Sequence, residues 1–167
     1  GASYGFQARA IPSVMFGEVP VSSTAIRTSL LAGKVDVASV MLGRNHQYEG
    51  IVEHGRKIGR QIGFPTANLA RSSEGLLPVD GVYAGWLYAD GIRYPAAHSV
   101  GTNDSIEEVP RLLESHVIGR DDLDLYDLVV TAEFIEQVRP WAKFESMEVL
   151  VKQIAADVEA CREVLGE

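Results

Sequence analysis

Gly81-Val82-Tyr83-Ala84-Gly85-Trp86-Leu87-Tyr88, then Ala89-Asp90-Gly91, then a second apolar run from Ile92 to Val100, is the stretch that decides the fold class. Asp-Gly between two such runs is a hairpin signal, because a type I′ turn needs φ > 0 at both central residues. Working outward, further apolar and β-branched runs lie at Ile51-Val52, Ser115 to Ile118 and Leu128 to Ile135, punctuated by Gly, Pro, Asn and Asp. No helix of crossover length separates them, which disfavours a parallel sheet. The pattern predicts an antiparallel sheet, closed into a small barrel or folded as a sandwich.

On either side the rhythm becomes helical. From Ser146 to Leu165, Met147, Leu150, Val151, Ile154, Val158, Cys161 and Leu165 form one stripe, with Lys152, Asp157, Glu159 and Glu163 off it. Ser146 is the expected N-cap, Glu148 suits the positive end of the helix dipole, and the helix is expected to pack on the barrel. Before the strands, Ser22 or Ser23 can cap a short helix that carries Ile26, Leu30 and Leu31 on one face and stops at Gly33. A second short helix, with Val37, Ala38, Met41 and Leu42 on one side, ends at Gly43-Arg44. An apolar segment around Ala8 to Val14 precedes both, and residues 1–44 look too few to hold a core of their own.

The chain has 167 residues, 46% hydrophobic, with 15 Lys+Arg against 23 Asp+Glu and a formal net charge of −8. That suffices for one compact domain with a core and argues against disorder. The acidic balance excludes general nucleic-acid binding, which relies on neutralising phosphates. No apolar stretch approaches a membrane span, and Gly1 to Phe6 lack the basic start and apolar run of a secretory signal. A lone Cys161 makes no internal disulfide, so a cytoplasmic protein is expected.

The segment His54-Gly55-Arg56-Lys57-Ile58-Gly59-Arg60-Gln61-Ile62-Gly63-Phe64-Pro65-Thr66-Ala67-Asn68 carries the chemistry. Gly55, Gly59 and Gly63, with three cations among them, make a flexible backbone able to approach an anion, although the stretch matches neither the Walker nor the dinucleotide pattern. Thr66 and Asn68, two apart in an extended segment, can present a hydroxyl and an amide oxygen on one side as hard ligands for Mg²⁺. The bare pattern equally suits a solvated basic loop, followed by two residues that satisfy backbone groups in a turn.

Gly63-Phe64-Pro65-Thr66-Ala67-Asn68 resembles the signature of riboflavin kinases. The resemblance continues in order through Asp80-Gly81-Val82-Tyr83-Ala84-Gly85, Ser99-Val100-Gly101-Thr102-Asn103, Leu113-Glu114-Ser115-His116 and Asp122-Leu123-Asp124-Leu125-Tyr126. Arg139 and Lys143-Phe144-Glu145-Ser146 complete it, and the whole spans residues 46–165. It implies a mainly β fold: a six-stranded antiparallel, Greek-key-like barrel with a C-terminal helix, preceded here by a short helical segment. It also implies transfer of the ATP γ-phosphate to the terminal ribityl hydroxyl of riboflavin, giving FMN and ADP. On that reading Glu114 accepts the hydroxyl proton. Thr66 and Asn68 hold Mg²⁺ and phosphate, the Gly55–Gly63 loop lies over the nucleotide phosphates, and Asp124, Leu125, Tyr126 and Arg139 place the flavin.

Pro20-Val21-Ser22-Ser23-Thr24-Ala25-Ile26-Arg27 resembles the end of the FMN adenylyltransferase module that precedes the kinase module in bacterial bifunctional FAD synthetases. The division implied is an adenylyltransferase remnant over 1–44 and a kinase domain over 45–167. No His-x-Gly-His-type segment is present, because His46, His54, His98 and His116 are all isolated, so FAD synthesis by this chain alone is not expected. The chain departs from the family at Asp104-Ser105, where Pro-Thr is usual, and at Asp127, where Gly is usual. The alternative class is a flavin- or nucleotide-binding barrel with weakened or no turnover, for which Glu114 has no purpose. A barrel mediating protein interactions is a third.

Overall fold

The computed structural model describes residues 4, 5, 7, 9–55, 58–70, 73, 75–102 and 111–167. Asn103, Asp104 and Ser105, with the cations Arg56 and Lys57, lie outside the described residues. The elements run β1 (Met15–Phe16), β2 (Val19–Pro20), α1 (Ser23–Leu31), α2 (Val35–Leu42), β3 (His46–Glu53), α3 (Ile58–Gln61) and β4 (Ala67–Leu69). They continue with β5 (Gly81–Ala89), β6 (Ile92–Gly101), β7 (Leu112–Val117), β8 (Val129–Pro140) and α4 (Met147–Leu165).

Strands β3 to β8 close into a barrel in the order β3-β4-β7-β6-β5-β8, with every pairing antiparallel. The β5–β6 hairpin turns where expected. Ala89 pairs with Ile92, and Asp90 and Gly91 have φ of 49° and 75°, the left-handed values a type I′ turn requires. The sixth strand, β4, did not stand out among the apolar runs because it has only three residues, one of them Asn68. It nevertheless bridges β3 and β7 and so brings the Thr66–Asn68 segment into the barrel wall.

Alternation along the strands separates an inner from an outer set of side chains. Tyr83, Leu87, Val100, Leu113, Val130 and Phe134 fill the interior. In β7, Leu113, Ser115 and Val117 are buried while Glu114 and His116 between them are only partly so. Nearly all of β5 is buried, because its outer side is covered too. Val82, Ala84 and Ala97 pack there against Val158 and Cys161 of α4.

Helix α4 begins at Ser146, whose Oγ accepts the Val149 N–H at 3.3 Å, and ends at Gly166 with φ of 71°. Two members of its sequence pattern behave differently from expectation. Met147 is half-exposed, since the first turn projects beyond the packed face, and Asp157, off the apolar stripe, is buried because Arg139 neutralises it. Of the two candidate caps for α1, Ser22 serves, accepting the Ala25 N–H at 3.2 Å. Leu30 is buried but Leu31 is exposed, so the apolar face of α1 is narrower than the sequence suggested. The buried residues described in the first zone, Leu30, Val35 and Ala38, join the barrel cluster, and Val79 N–H bonds the Leu30 carbonyl. The segment before α1 is exposed at Ile11 and Val14 and forms the unexpected β1–β2 ribbon. Among the described residues no helix is long and apolar enough to cross a membrane.

Candidate active site

Register assembles the site on the barrel's outer face. Asn68 of β4 and Ser99 of β6 both pair with Glu114 of β7, so three outward side chains stand in a row across three adjacent strands. Thr66, just ahead of β4, donates its hydroxyl to Glu114 Oε2 at 3.4 Å. Asn68 Nδ2 donates to the Thr66 carbonyl at 3.4 Å, which leaves the amide oxygen uncommitted by that bond. Thr66, Asn68 and Glu114, which the sequence separates by 48 residues at most, thus form one oxygen-rich group.

The preceding segment is less open than its glycines suggested. Residues 58–61 make one helical turn, and the Gly59 carbonyl accepts from both Ile62 and Phe64, at 3.2 and 2.8 Å. Gly59 needs to be glycine, because a Cβ there would overlap the Phe64 carbonyl oxygen, whereas a Cβ on Gly55 would lie 2.7 Å from the Asn68 amide nitrogen and push that side chain aside. Gly63, at φ 87°, then turns the chain into Phe64-Pro65.

His116, two residues beyond Glu114 on the same face, bonds the Pro65 carbonyl through Nδ1 at 2.8 Å. A carbonyl only accepts, so Nδ1 carries the proton. Burial lowers the His116 pKa, the Pro65 carbonyl opposes this and nearby Arg162 adds to it; the ring is neutral near pH 7. Its edge meets Phe64, with ring centroids 5.5 Å apart.

Two cavities meet at Gly55, Gly59, Thr66 and Asn68. The larger, about 490 Å³, lies between the barrel's outer face and α4; Glu114, His116 and Arg139 share its lining with Phe64, Trp141, Phe144, Leu150 and Ile154. The smaller, about 60 Å³, is lined by Arg60, Arg120, Leu123, Leu125 and Tyr126. Tyr126 stacks on His54 with centroids 4.0 Å apart. Arg139 and the Asp124-Leu125-Tyr126 stretch are therefore not brought together. Arg139 borders the large cavity, Leu125 and Tyr126 border the small one, and Asp124 is exposed and borders neither.

Arg139 is held by Asp157, with Nε 2.9 Å from Oδ1 and Nη2 2.8 Å from Oδ2; Gln153 Nε2 donates to the same carboxylate at 2.8 Å. Inside the barrel, below Glu114, His98 Nδ1 lies 2.8 Å from Ser115 Oγ. Burial pushes the His98 pKa down to about 4 against the pull of the Glu133 and Trp86 carbonyls, so the ring stays neutral. Sequence reasoning assigned no role to His116 or Trp141 and placed Asp157 off the apolar stripe. The period-2 pattern of Glu114-Ser115-His116 was the available signal for His116. Nothing local signalled Asp157, because its partner lies on another element.

The oxygen set suits a hard divalent cation: one hydroxyl, one amide oxygen and one carboxylate, with room beside them for phosphate oxygens. Among the described residues no group of three His, Cys, Asp or Glu side chains is placed to hold a metal.

The profile of the Flavokinase family, described as riboflavin kinase, matches residues 42–165. A bifunctional riboflavin kinase/FMN adenylyltransferase of Pseudomonas fluorescens is 35% identical over 163 residues, covering 97% of this chain and 52% of that protein. The Escherichia coli K12 protein of the same description is 33% identical over 167 residues, 99% of this chain and 53% of its own. The chain spans about half the length of these relatives. Among solved structures, a Streptococcus pneumoniae protein described as a macrolide-efflux protein aligns with TM-score 0.82 and 34% identity over 91% of this chain and 50% of that one. Riboflavin kinase from Trypanosoma brucei aligns with TM-score 0.51 and 27% identity over 72% and 80%. The six-stranded barrel, the Thr66–Asn68–Glu114 group on its outer face and these similarities agree: the chain belongs to the riboflavin kinase family.

Proposed function

We propose that this chain phosphorylates riboflavin, transferring the γ-phosphoryl group of ATP to the terminal ribityl hydroxyl and releasing FMN and ADP. The observation that carries the reading is the Thr66 hydroxyl 3.4 Å from the Glu114 carboxylate, at the junction of two cavities of unequal size. The large cavity, with the flat apolar faces of Phe64, Trp141 and Phe144, suits an isoalloxazine ring. The small one opens beside Arg60 and Arg120, the latter paired with Asp122, and is assigned to the phosphate end of the nucleotide. On this reading Leu125 and Tyr126 serve the nucleotide side, and Arg139 alone of the four flavin candidates serves the flavin.

Phosphoryl transfer asks the protein chiefly for alignment and for neutralisation of spreading charge. The ribityl chain reaches from the large cavity toward Glu114, which takes the hydroxyl proton as the oxygen bonds to phosphorus and the bond from phosphorus to the ADP oxygen breaks. Thr66 and Asn68 would hold Mg²⁺, which neutralises charge on the transferring phosphoryl group. Gly55 and Gly59 keep the covering segment close enough for its backbone to follow the phosphates.

Residues 1–44 are proposed to be the end of an adenylyltransferase module, as in the bifunctional relatives, so the 167 residues alone should stop at FMN. The test is incubation with riboflavin, ATP and Mg²⁺, with chromatographic separation and flavin fluorescence. FMN without FAD supports the reading. Flavin binding without FMN overturns the kinase assignment, and FAD overturns the assignment of residues 1–44.

A further inference from the structure

The two halves of α4 meet the barrel differently. Cys161 packs with Val82, Ala84 and Ala97, Met147 and Leu150 line the large cavity, and Ile154 and Val158 between them do both. The change falls at Asp157, which is only 5% exposed. Its carboxylate is saturated: Arg139 Nε and Nη2 approach in a fork and Gln153 takes a further site on Oδ1. The Arg139 guanidinium also sits 5.4 Å from the Phe144 ring and donates to the Pro140 carbonyl at 3.0 Å, so one cation ties β8, the following segment and α4 together.

Apolar side chains facing each other across a gap tend to close it. Here Leu150 and Ile154 share the lining with Val82, Ala97 and Leu112 of the barrel wall, beside Glu114 and His116, and a cavity of about 490 Å³ stays open. A forked Arg–carboxylate pair fixes both separation and angle between the elements that carry it, which an apolar contact does not. We propose that Asp157, supported by Gln153, is a positioning residue for the flavin: through Arg139 it holds the first half of α4 off the barrel at the width of the ring system and turns the remaining guanidinium N–H groups toward the cavity. This rests on the reading of the large cavity as the flavin site.

The test combines riboflavin binding, followed by fluorescence quenching, with KM for ATP and kcat. Asp157→Asn keeps the shape but loses the charge, and is expected to raise the riboflavin Kd at least tenfold while KM for ATP stays within twofold. Gln153→Met, which leaves the ion pair in place, is expected to raise that Kd about threefold, and it decides the matter if Asp157→Asn does not fold. Unchanged riboflavin affinity, or equal weakening of riboflavin and ATP, overturns the proposal, because general loosening of the fold would affect both ligands. Leu150→Trp, which fills the cavity without touching the pair, is expected to abolish riboflavin binding. Normal binding by that variant would remove the cavity reading and the proposal together. Loss in Leu150→Trp with normal binding in a folded Asp157→Asn would remove the proposal alone.

Discussion

The neutral ring of His116 donates its Nδ1 proton to the carbonyl of Pro65 at 2.8 Å and so ties the strand that bears Glu114 to the segment that bears Thr66. The two groups that the proposed mechanism sets beside the transferring phosphoryl are thereby coupled through a third residue. Replacing His116 by Phe leaves the Pro65 carbonyl without this donor, a loss of about 1–3 kcal/mol. On the kinase reading, His116→Phe is expected to lower kcat about tenfold with little change in riboflavin affinity, and His116→Gln, which can still donate, to recover part of it. Equal activity in His116→Phe and the parent would separate the bond from catalysis.

Glu114→Ala is expected to reduce kcat by about 10²- to 10⁴-fold, the usual range for loss of a general base. Riboflavin binding should survive, because the apolar walls of the large cavity remain. A fluorescence titration beside the turnover assay makes the distinction, and undiminished turnover would remove Glu114 from the mechanism.

Asn68→Ala should weaken MgATP about tenfold or more and riboflavin by less than twofold, in line with loss of a metal-ligating oxygen. The profile of ATP affinity against Mg²⁺ concentration is the measurement. Equal weakening of the two substrates would argue for a purely structural Asn68.

His98 predicts an acid-side loss of stability. Its pKa falls from 6.5 to about 4 on folding, so the folded state excludes a proton that the unfolded chain binds. The contribution is complete above pH 6.5 and is lost as pH falls from 6.5 toward 4, by up to about 3 kcal/mol. Denaturant melts at pH 7 and pH 4.5 should show a smaller difference in His98→Gln than in the parent. An identical pH dependence in both proteins would assign the acid sensitivity elsewhere.

Asp127 has φ of 63°, a left-handed conformation in which a side chain costs energy. Its N–H nevertheless bonds the Val52 carbonyl at 3.0 Å, so the turn is held in place. Asp127→Gly should relieve the strain and raise stability by about 1 kcal/mol or less. Chemical denaturation checks this, and a destabilised variant would show that the carboxylate contributes more than the backbone loses.

By itself, the sequence determined the hairpin at Asp90-Gly91, the antiparallel character of the sheet, and the start of α4 at Ser146. Each depends on neighbours a few residues away, through turn dihedrals, side-chain periodicity and an N-terminal hydrogen bond. Motif order likewise brought Thr66, Asn68 and Glu114 forward as partners. Only the tertiary structure decided the rest. Barrel closure set the register that lines up Asn68, Glu114 and Ser99. Packing of α4 on the outer face buried Asp157 against Arg139, and the same closure parted Arg139 from Leu125 and Tyr126. These outcomes hang on contacts between residues far apart in the chain, where burial and pairing of charge override what a short window of sequence can express.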